Sequence, residues 1–415
     1  MSRIRVKNFG PIKEGYQEND GWMDIKKVTT FIGNQGSGKS TVAKLISTFM
    51  WIEKALYRGD FTNDPSNYSD IFSFKRLGYH RLQNYFQYTQ GSESILEFEG
   101  VSFNIRYESG DLSIEKIDKK HYELPQIMYV PAERNFISYV ESPKELKLSS
   151  ESLTEFLTEF NRAKDALNGF TRLPINDVGI EYDDFSDRIE LKGRGFSVDL
   201  TEASSGFQSL VPLYIVSQFL ANRVRKKGNN SKEPMSSEEL ERFKKGIEEI
   251  YTNEDFSEEQ KRAAISVLTS RFNKTAFINI VEEPEQNLFP ASQWQMLQSL
   301  LKFNNMSPGN KLIMTTHSPY IINFLSIAIQ GFELKRKIEQ SGKSDKLLSR
   351  LKNVISLDAL IPSEDSVVYQ LDEHKGTIQK LSSPEGIPSD RNYLNDMLRE
   401  GNILFDTLLE IEEEI

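Results

Sequence analysis

The sequence predicts an α/β fold on a mixed central sheet, and three observations carry that expectation. The apolar run Val28-Thr29-Thr30-Phe31-Ile32 passes directly into Gly33-Asn34-Gln35-Gly36-Ser37-Gly38-Lys39-Ser40-Thr41 and then into a helical run. That is the strand, turn, helix order of a loop that cradles phosphate. Two further apolar runs, Ala276-Phe277-Ile278-Asn279-Ile280-Val281 and Lys311-Leu312-Ile313-Met314-Thr315-Thr316, have the length of buried strands and end in polar clusters. Around them lie segments of strict alternation, the mark of antiparallel strands with one wet face.

Taken in order, residues 1–32 alternate through Arg3-Ile4-Arg5-Val6 and again near Trp22-Met23-Asp24-Ile25, which suggests antiparallel strands leading into the loop. The helix after the loop runs to about Leu56. Leu96, Phe98, Val101, Phe103, Ile105 and Tyr107 alternate with a break at Glu99-Gly100, and a turn at Gly110-Asp111 precedes Leu112 and Ile114, so a small meander is expected. Ile127 to Val130, bounded by Pro125 and Pro131, suits a buried strand whose carboxyl end points Glu133 and Arg134 outward. Leu153, Phe156, Leu157, Phe160, Ala163 and Leu167 share one helix face, and hairpin alternation returns over 178–200. Phe207 to Leu220 is apolar on most sides, hence a buried helix that Pro212 kinks or opens. Two capping boxes, Ser236-x-x-Glu239 and Ser257-x-x-Gln260, start surface helices approached through Gly228-Asn229-Asn230-Ser231. The last stretch is mixed and ends in an acidic helix near Leu408 to Glu414.

Bulk properties narrow the function. At 415 residues the chain is long for one compact core, so an insertion or second lobe is expected. The net charge of −10 argues against a broad nucleic-acid-binding surface, and the one dense basic run, Arg223-Val224-Arg225-Lys226-Lys227, reads as a solvated helix end. No run approaches the ~18 apolar residues of a membrane span. The amino terminus enters a strand pattern without an apolar leader, so a cytoplasmic protein is expected. The absence of cysteine excludes disulfides and thiolate metal sites, His80, His121, His317 and His374 are too scattered to suggest a zinc cluster, and Mg²⁺ brought with the nucleotide is the expected metal.

The spacing G-x-x-x-x-G-K-S predicts the chemistry at the loop. Its backbone N–H groups wrap the phosphates of a nucleoside triphosphate, Lys39 reaches the β and γ phosphates, and the Ser40 hydroxyl meets Mg²⁺. The strand ending at Val281 delivers Glu282-Glu283-Pro284, one carboxylate for the Mg²⁺ hydration shell and a second to orient the attacking water. Met314-Thr315-Thr316-His317-Ser318-Pro319 places an imidazole at a neighbouring strand end, where it can donate to a γ-phosphate oxygen or to the water. Ser204-Ser205-Gly206-Phe207-Gln208-Ser209 opens a buried helix and makes a second amino-terminal anion site.

Together these residues resemble the ATP-binding-cassette ATPases, in particular the compact heads of the SMC, RecF and OLD-like group. Gly33 to Thr41 is similar to the Walker A motif, Ser204 to Gln208 to a degenerate signature motif, and Glu282-Glu283 to Walker B with its catalytic glutamate. Glu285-Gln286-Asn287-Leu288 resembles the D-loop, His317 the switch histidine, and Val130-Pro131-Ala132-Glu133-Arg134 stands in the place of the Q-loop. The chain departs from the pattern at Phe207 for the signature's second glycine, Glu282 for aspartate, Glu133 for glutamine and Phe289 for the D-loop aspartate.

The resemblance implies a P-loop NTPase fold: an ATPase head with a mixed central sheet, an antiparallel β subdomain and an inserted helical lobe. It implies an ATPase lobe over 1–140, an inserted lobe over 141–275 carrying the signature, core over 276–330, and an α/β extension over 331–415. It also implies a homodimer, or a multiple of one, sandwiching two ATP molecules. In it Lys39, Glu283 and His317 act in catalysis, Ser205, Gly206 and Gln208 reach the partner's nucleotide, and Ser40, Glu282 and Glu133 surround Mg²⁺. The span between Arg134 and Ser204 lacks sustained heptads, so the long arms of SMC proteins are not expected. Asp372-Glu373 is a weak substitute for the acidic motif of the TOPRIM nuclease that OLD proteins carry. A separate effector polypeptide, a nuclease or a toxin in anti-phage defence, is therefore expected. A DNA-maintenance ATPase that binds DNA and, more remotely, a transporter subunit are the alternatives.

Overall fold

The computed structural model describes residues 2–60, 77–86, 94–108, 111–117, 122–140, 148, 150–227, 237–253, 256–270, 272–341 and 344–413. His121, the turn residue Gly110, the 228–231 approach and the Ser236 capping box lie outside the described residues.

In chain order, β1 (Ser2–Lys7), β2 (Gly15–Tyr16), β3 (Met23–Ile25) and β4 (Val28–Gly33) lead to helix α1 (Lys39–Arg58). Strands β5 (Ile95–Glu99), β6 (Phe103–Glu108), β7 (Asp111–Lys116) and β8 (Pro125–Val130) precede helix α2 (Glu151–Asp165). Then come β9 (Thr171–Arg172), β10 (Gly179–Asp183), β11 (Arg188–Gly193), β12 (Phe196–Asp199) and the helices α3 (Ser205–Lys227), α4 (Ser237–Thr252) and α5 (Glu258–Ser270). Strand β13 (Ala276–Glu282), helix α6 (Pro290–Asn304), strand β14 (Lys311–Thr316) and helices α7 (Pro319–Gln340) and α8 (Ser344–Lys352) follow. The chain closes with β15 (Ser366–Asp372), β16 (Thr377–Lys380) and α9 (Tyr393–Glu413).

The central sheet has seven strands in the order β2-β16-β15-β4-β14-β13-β8. From β15 to β8 the pairings are parallel, and β15 to β16 is antiparallel, so the sheet is mixed. Strands β4, β8 and β13 are buried along their whole length, as parallel strands covered on both faces must be. On one face Val28, Ile32 and Val281 join α3, α6 and α7 in one apolar core; on the other Phe31 and Ile280 join α1 and the strands β1 and β5 in a second. The expected meander is there: β3-β1-β5-β6-β7 form a five-stranded antiparallel sheet, and β12-β11-β10-β9 form a smaller one.

Register brings the chemistry to one edge. Val281 pairs with Val130, Glu282 with Thr315, Thr316 with Ile32, and Leu371 with Gly33, so four parallel strands end level with the glycine loop. Helix α1 stops where Gly59 takes a left-handed conformation. Pro212 sits within α3, which runs unbroken past it, and Asn279 Nδ2 donates to Ser217 Oγ at 3.0 Å to tie that helix to β13. At α5 the capping box forms reciprocally: Ser257 N donates to Gln260 Oε1 at 2.8 Å and Gln260 N to Ser257 Oγ at 3.3 Å.

Candidate nucleotide site

The loop closes on glycine. Gly33 has φ +148°, and a Cβ there would lie 2.5 Å from the Leu371 carbonyl oxygen; no side chain fits. Gly38 caps α1 at φ +99° with no side-chain cap, and no acid stands in the first turn. The positive end of α1 is thus left for an external anion. Asn34, Gln35 and Gly36 face solvent, whereas Ser37, Gly38, Lys39 and Thr41 are buried and Ser40 is half-buried. Lys39 lies across its own loop, Nζ donating to Gly33 O at 2.9 Å and Asn34 O at 2.8 Å. Burial pushes its ammonium down to about 8, against the pull of Glu283, Glu285, Glu373 and Glu282.

Beyond β13 the chain turns sharply. Glu283 adopts φ +47°, a left-handed conformation that costs a non-glycine residue on the order of 1–3 kcal/mol. Its N–H donates to Thr315 O at 2.9 Å. Its carbonyl is held by Arg134, and here one expectation fails. Arg134 does not point outward; it is fully buried. Its guanidinium donates to Ser209 O at 3.2 Å, Pro131 O at 3.3 Å, and Glu282 O and Glu283 O at 2.6 Å each. Strand-end carbonyls in the interior need donors, and a planar five-donor group serves several at once. Burial lowers the Arg134 pKa to about 10, with Glu285, Glu283, Glu282 and Glu133 opposing. Glu133 does point outward and is exposed.

The bend aims Glu283 at His317, whose Nε2 stands 3.3 Å from Glu283 Oε1. That bond holds the Glu283 carboxyl below the usual carboxylate range, and burial acts the other way. Glu285 turns inward and accepts the His317 backbone N–H at 2.7 Å through Oε1. Burial raises its carboxyl above the usual range. Glu282 accepts the Ala132 N–H at 3.1 Å through Oε2 and faces the buried Tyr129 hydroxyl, while the buried Ser37 hydroxyl has no hydrogen-bond partner among the described residues. A buried hydroxyl left without a partner is costly, so the loop fits a phosphate, with the Glu282 carboxylate at hand for a hydrated cation.

The Ser204 to Gln208 turn meets the segment after β13. A Cβ on Gly206 would lie 2.9 Å from Asn287 O, and Ser209 Oγ bonds with Gln286 Oε1 at 3.1 Å. Ser205 is exposed at the start of α3; Gln208 is buried and donates to Thr201 O at 2.7 Å. Sequence reasoning missed the far wall of the loop. Asn34 Nδ2 donates to Glu373 Oε1 at 2.9 Å, a pairing across 339 residues. The signal is Asp372-Glu373 at a strand end before a glycine turn.

The mixed sheet with its glycine loop between β4 and α1 is a P-loop NTPase fold. The chain belongs to the family described as "AAA domain, putative AbiEii toxin, Type IV TA system", whose model matches residues 28–323. Similar solved structures include the SMC head domain from Thermotoga maritima, at 11% identity over 78% of this chain and 90% of that one, TM-score 0.27. Another is the SMC head with an extended coiled coil bound to the C-terminal domain of ScpA derived from Pyrococcus furiosus, at 10% identity over 97% and 100%, TM-score 0.34. A third is a dimeric ATP-binding cassette in a post-hydrolysis state with ADP and Pi, at 13% identity over 78% and 91%, TM-score 0.24. No curated protein matches the chain. Among the described residues no helix is long and apolar enough to cross a membrane.

Proposed function

We propose that this chain binds and hydrolyses ATP and pairs with a second copy around the nucleotide, as an OLD-like switch for a separate effector in anti-phage defence. The observation that carries the catalytic reading is the Glu283–His317 pair, held on a left-handed backbone at the strand edge shared with Lys39. Gly33 to Thr41 bind the phosphates, Lys39 supplies the charge, and Glu283 orients water while His317 holds it in line. Ser40, Glu282 and Glu133 would hold hydrated Mg²⁺, which supplies neutralisation of the phosphate oxygens when bound.

The pairing is supported by what the site leaves open. Ser205, exposed at the amino terminus of a long helix with no acid in its first turn, offers donors outward rather than to its own loop. Phe289 is 76% exposed beside that turn, an apolar side chain suited to a covered face. The defence context is supported by the family's description, which names a "putative AbiEii toxin" and a "Type IV TA system". The test is Glu283→Gln, with phosphate release and mass measured under Mg-ATP. Turnover should fall at least a hundredfold while an ATP-bound dimer accumulates. A variant that keeps turnover, or never dimerises, overturns the assignment.

A further inference from the structure

Among the described residues two apolar surfaces stand open, and their lengths and charges suit each other. The first is α9. Met397, Gly401, Leu404, Leu408 and Ile411 recur at alternating spacings of four and three, one continuous stripe, while Leu394 before them packs on the core of its own chain. Leu398, Phe405 and Leu409 widen it. The side chains from Met397 onward are 44–67% exposed, and no residue of α9 is buried. The second is a groove of about 640 Å³ between α7 and α8, lined by Ile327, Leu334, Ile338, Leu347, Leu351 and Val354, among others. Leu334 and Val354 are themselves 43% and 59% exposed.

We infer that α9 of one copy of this chain docks its apolar stripe into the α7/α8 groove of a second copy, reciprocally. The groove from Ile327 to Ile338 spans about three helical turns and the stripe from Met397 to Ile411 about four. Charge favours the match. Outside the stripe α9 carries Asp396, Glu400, Asp406, Glu410, Glu412 and Glu413 against the single cation Arg399. Arg350 lines the groove, and the same two helices also carry Lys335, Arg336, Lys337, Lys346 and Lys352 against Glu333, Glu339 and Asp345, an excess of cations. An acidic amphipathic helix pairs poorly with its own like and well with a basic-rimmed groove. Within one chain the helix leaves the groove open. Ile387 lines the groove just before α9 begins, and the Tyr393 N–H is tied to Gln370 Oε1 at 3.4 Å, so the helix departs from its own groove's edge. A two-fold axis fills both grooves with one kind of contact.

This pairing needs no nucleotide and does not rest on the ATP sandwich. The experiment is sedimentation equilibrium without nucleotide, on the full chain and on Lys39→Ala. Both should be dimers. Leu404→Glu/Leu408→Glu in α9 and, separately, Leu334→Glu/Val354→Glu in the groove should each weaken association at least thirtyfold while circular dichroism and melting stay unchanged. Mixing the two variants should restore a heterodimer, because one intact helix then meets one intact groove. A monomeric wild-type chain overturns the inference. So does an α9 variant that still dimerises, or a groove variant that does, or a mixture that stays monomeric.

Discussion

Lys39 is a cation held under tension. Its pKa near 8 reflects burial with only carbonyls as partners, and bound phosphates would favour the charged form. The ammonium is lost as pH rises through about 8, so ATP affinity should fall from pH 7 to pH 9, by up to about tenfold per unit above 8. Titrating nucleotide binding against pH checks this, and Lys39→Met should bind weakly without that slope. Glu285 makes the opposite prediction. Its carboxyl is raised by burial, so the protonated form favours folding and that contribution is lost as pH rises above the ordinary carboxylate range. Glu285→Gln keeps an acceptor for the His317 N–H; it should melt at least as high as wild type at pH 7.5 and lose any advantage near pH 4. Arg134 tolerates no such exchange. Arg134→Met leaves several buried carbonyls without donors and should cost about 3 kcal/mol in urea unfolding, with turnover falling further because Glu283 loses its anchor.

At the scale of elements, the start of α3 meets the segment after β13 in a close joint near the site. Gly206→Ala places a methyl 2.9 Å from Asn287 O, so one of the two must shift. Nucleotide binding should survive while ATP-driven pairing weakens, which equilibrium binding and, in the Leu404→Glu/Leu408→Glu background that removes the α9 contact, light scattering separate. Local features were the legible ones. The phosphate loop could be read because strand, turn and helix are consecutive, and Glu283 and His317 because each follows a buried strand directly. Arg134 could not. From β8 alone, a charged residue after a strand reads as outward, and its four carbonyl partners come from three separate segments. Asn34 and Glu373 stayed separate for the same reason, since only the pairing of β15 beside β4 joins them.

For the whole molecule, nucleotide and stability are linked. A ligand that binds only the folded chain at a hundred times its Kd adds about 2.7 kcal/mol, so saturating Mg-ATP should raise the melting temperature of Glu283→Gln by several degrees. Lys39→Ala should show no such rise in calorimetry. The mixed sheet, its two cores and the antiparallel subdomain follow from patterns read along the chain, because alternation and continuous apolar runs report local burial. The order of strands does not, since β15, late in sequence, pairs with β4, and β16 lies beyond it.

That late pair sets the smallest piece able to stand alone. Cutting the polypeptide at residue 323, where the family match ends, would strip β15 from β4 and leave an interior strand as a raw edge. The Leu371 carbonyl packed against Gly33 would go with it, as would the Gly376 carbonyl that accepts the Lys13 N–H. The phosphate loop is thus one of the last parts of the nascent chain to be completed. During synthesis its wall stays open until β15, beyond α7 and α8, has left the ribosome and paired with β4.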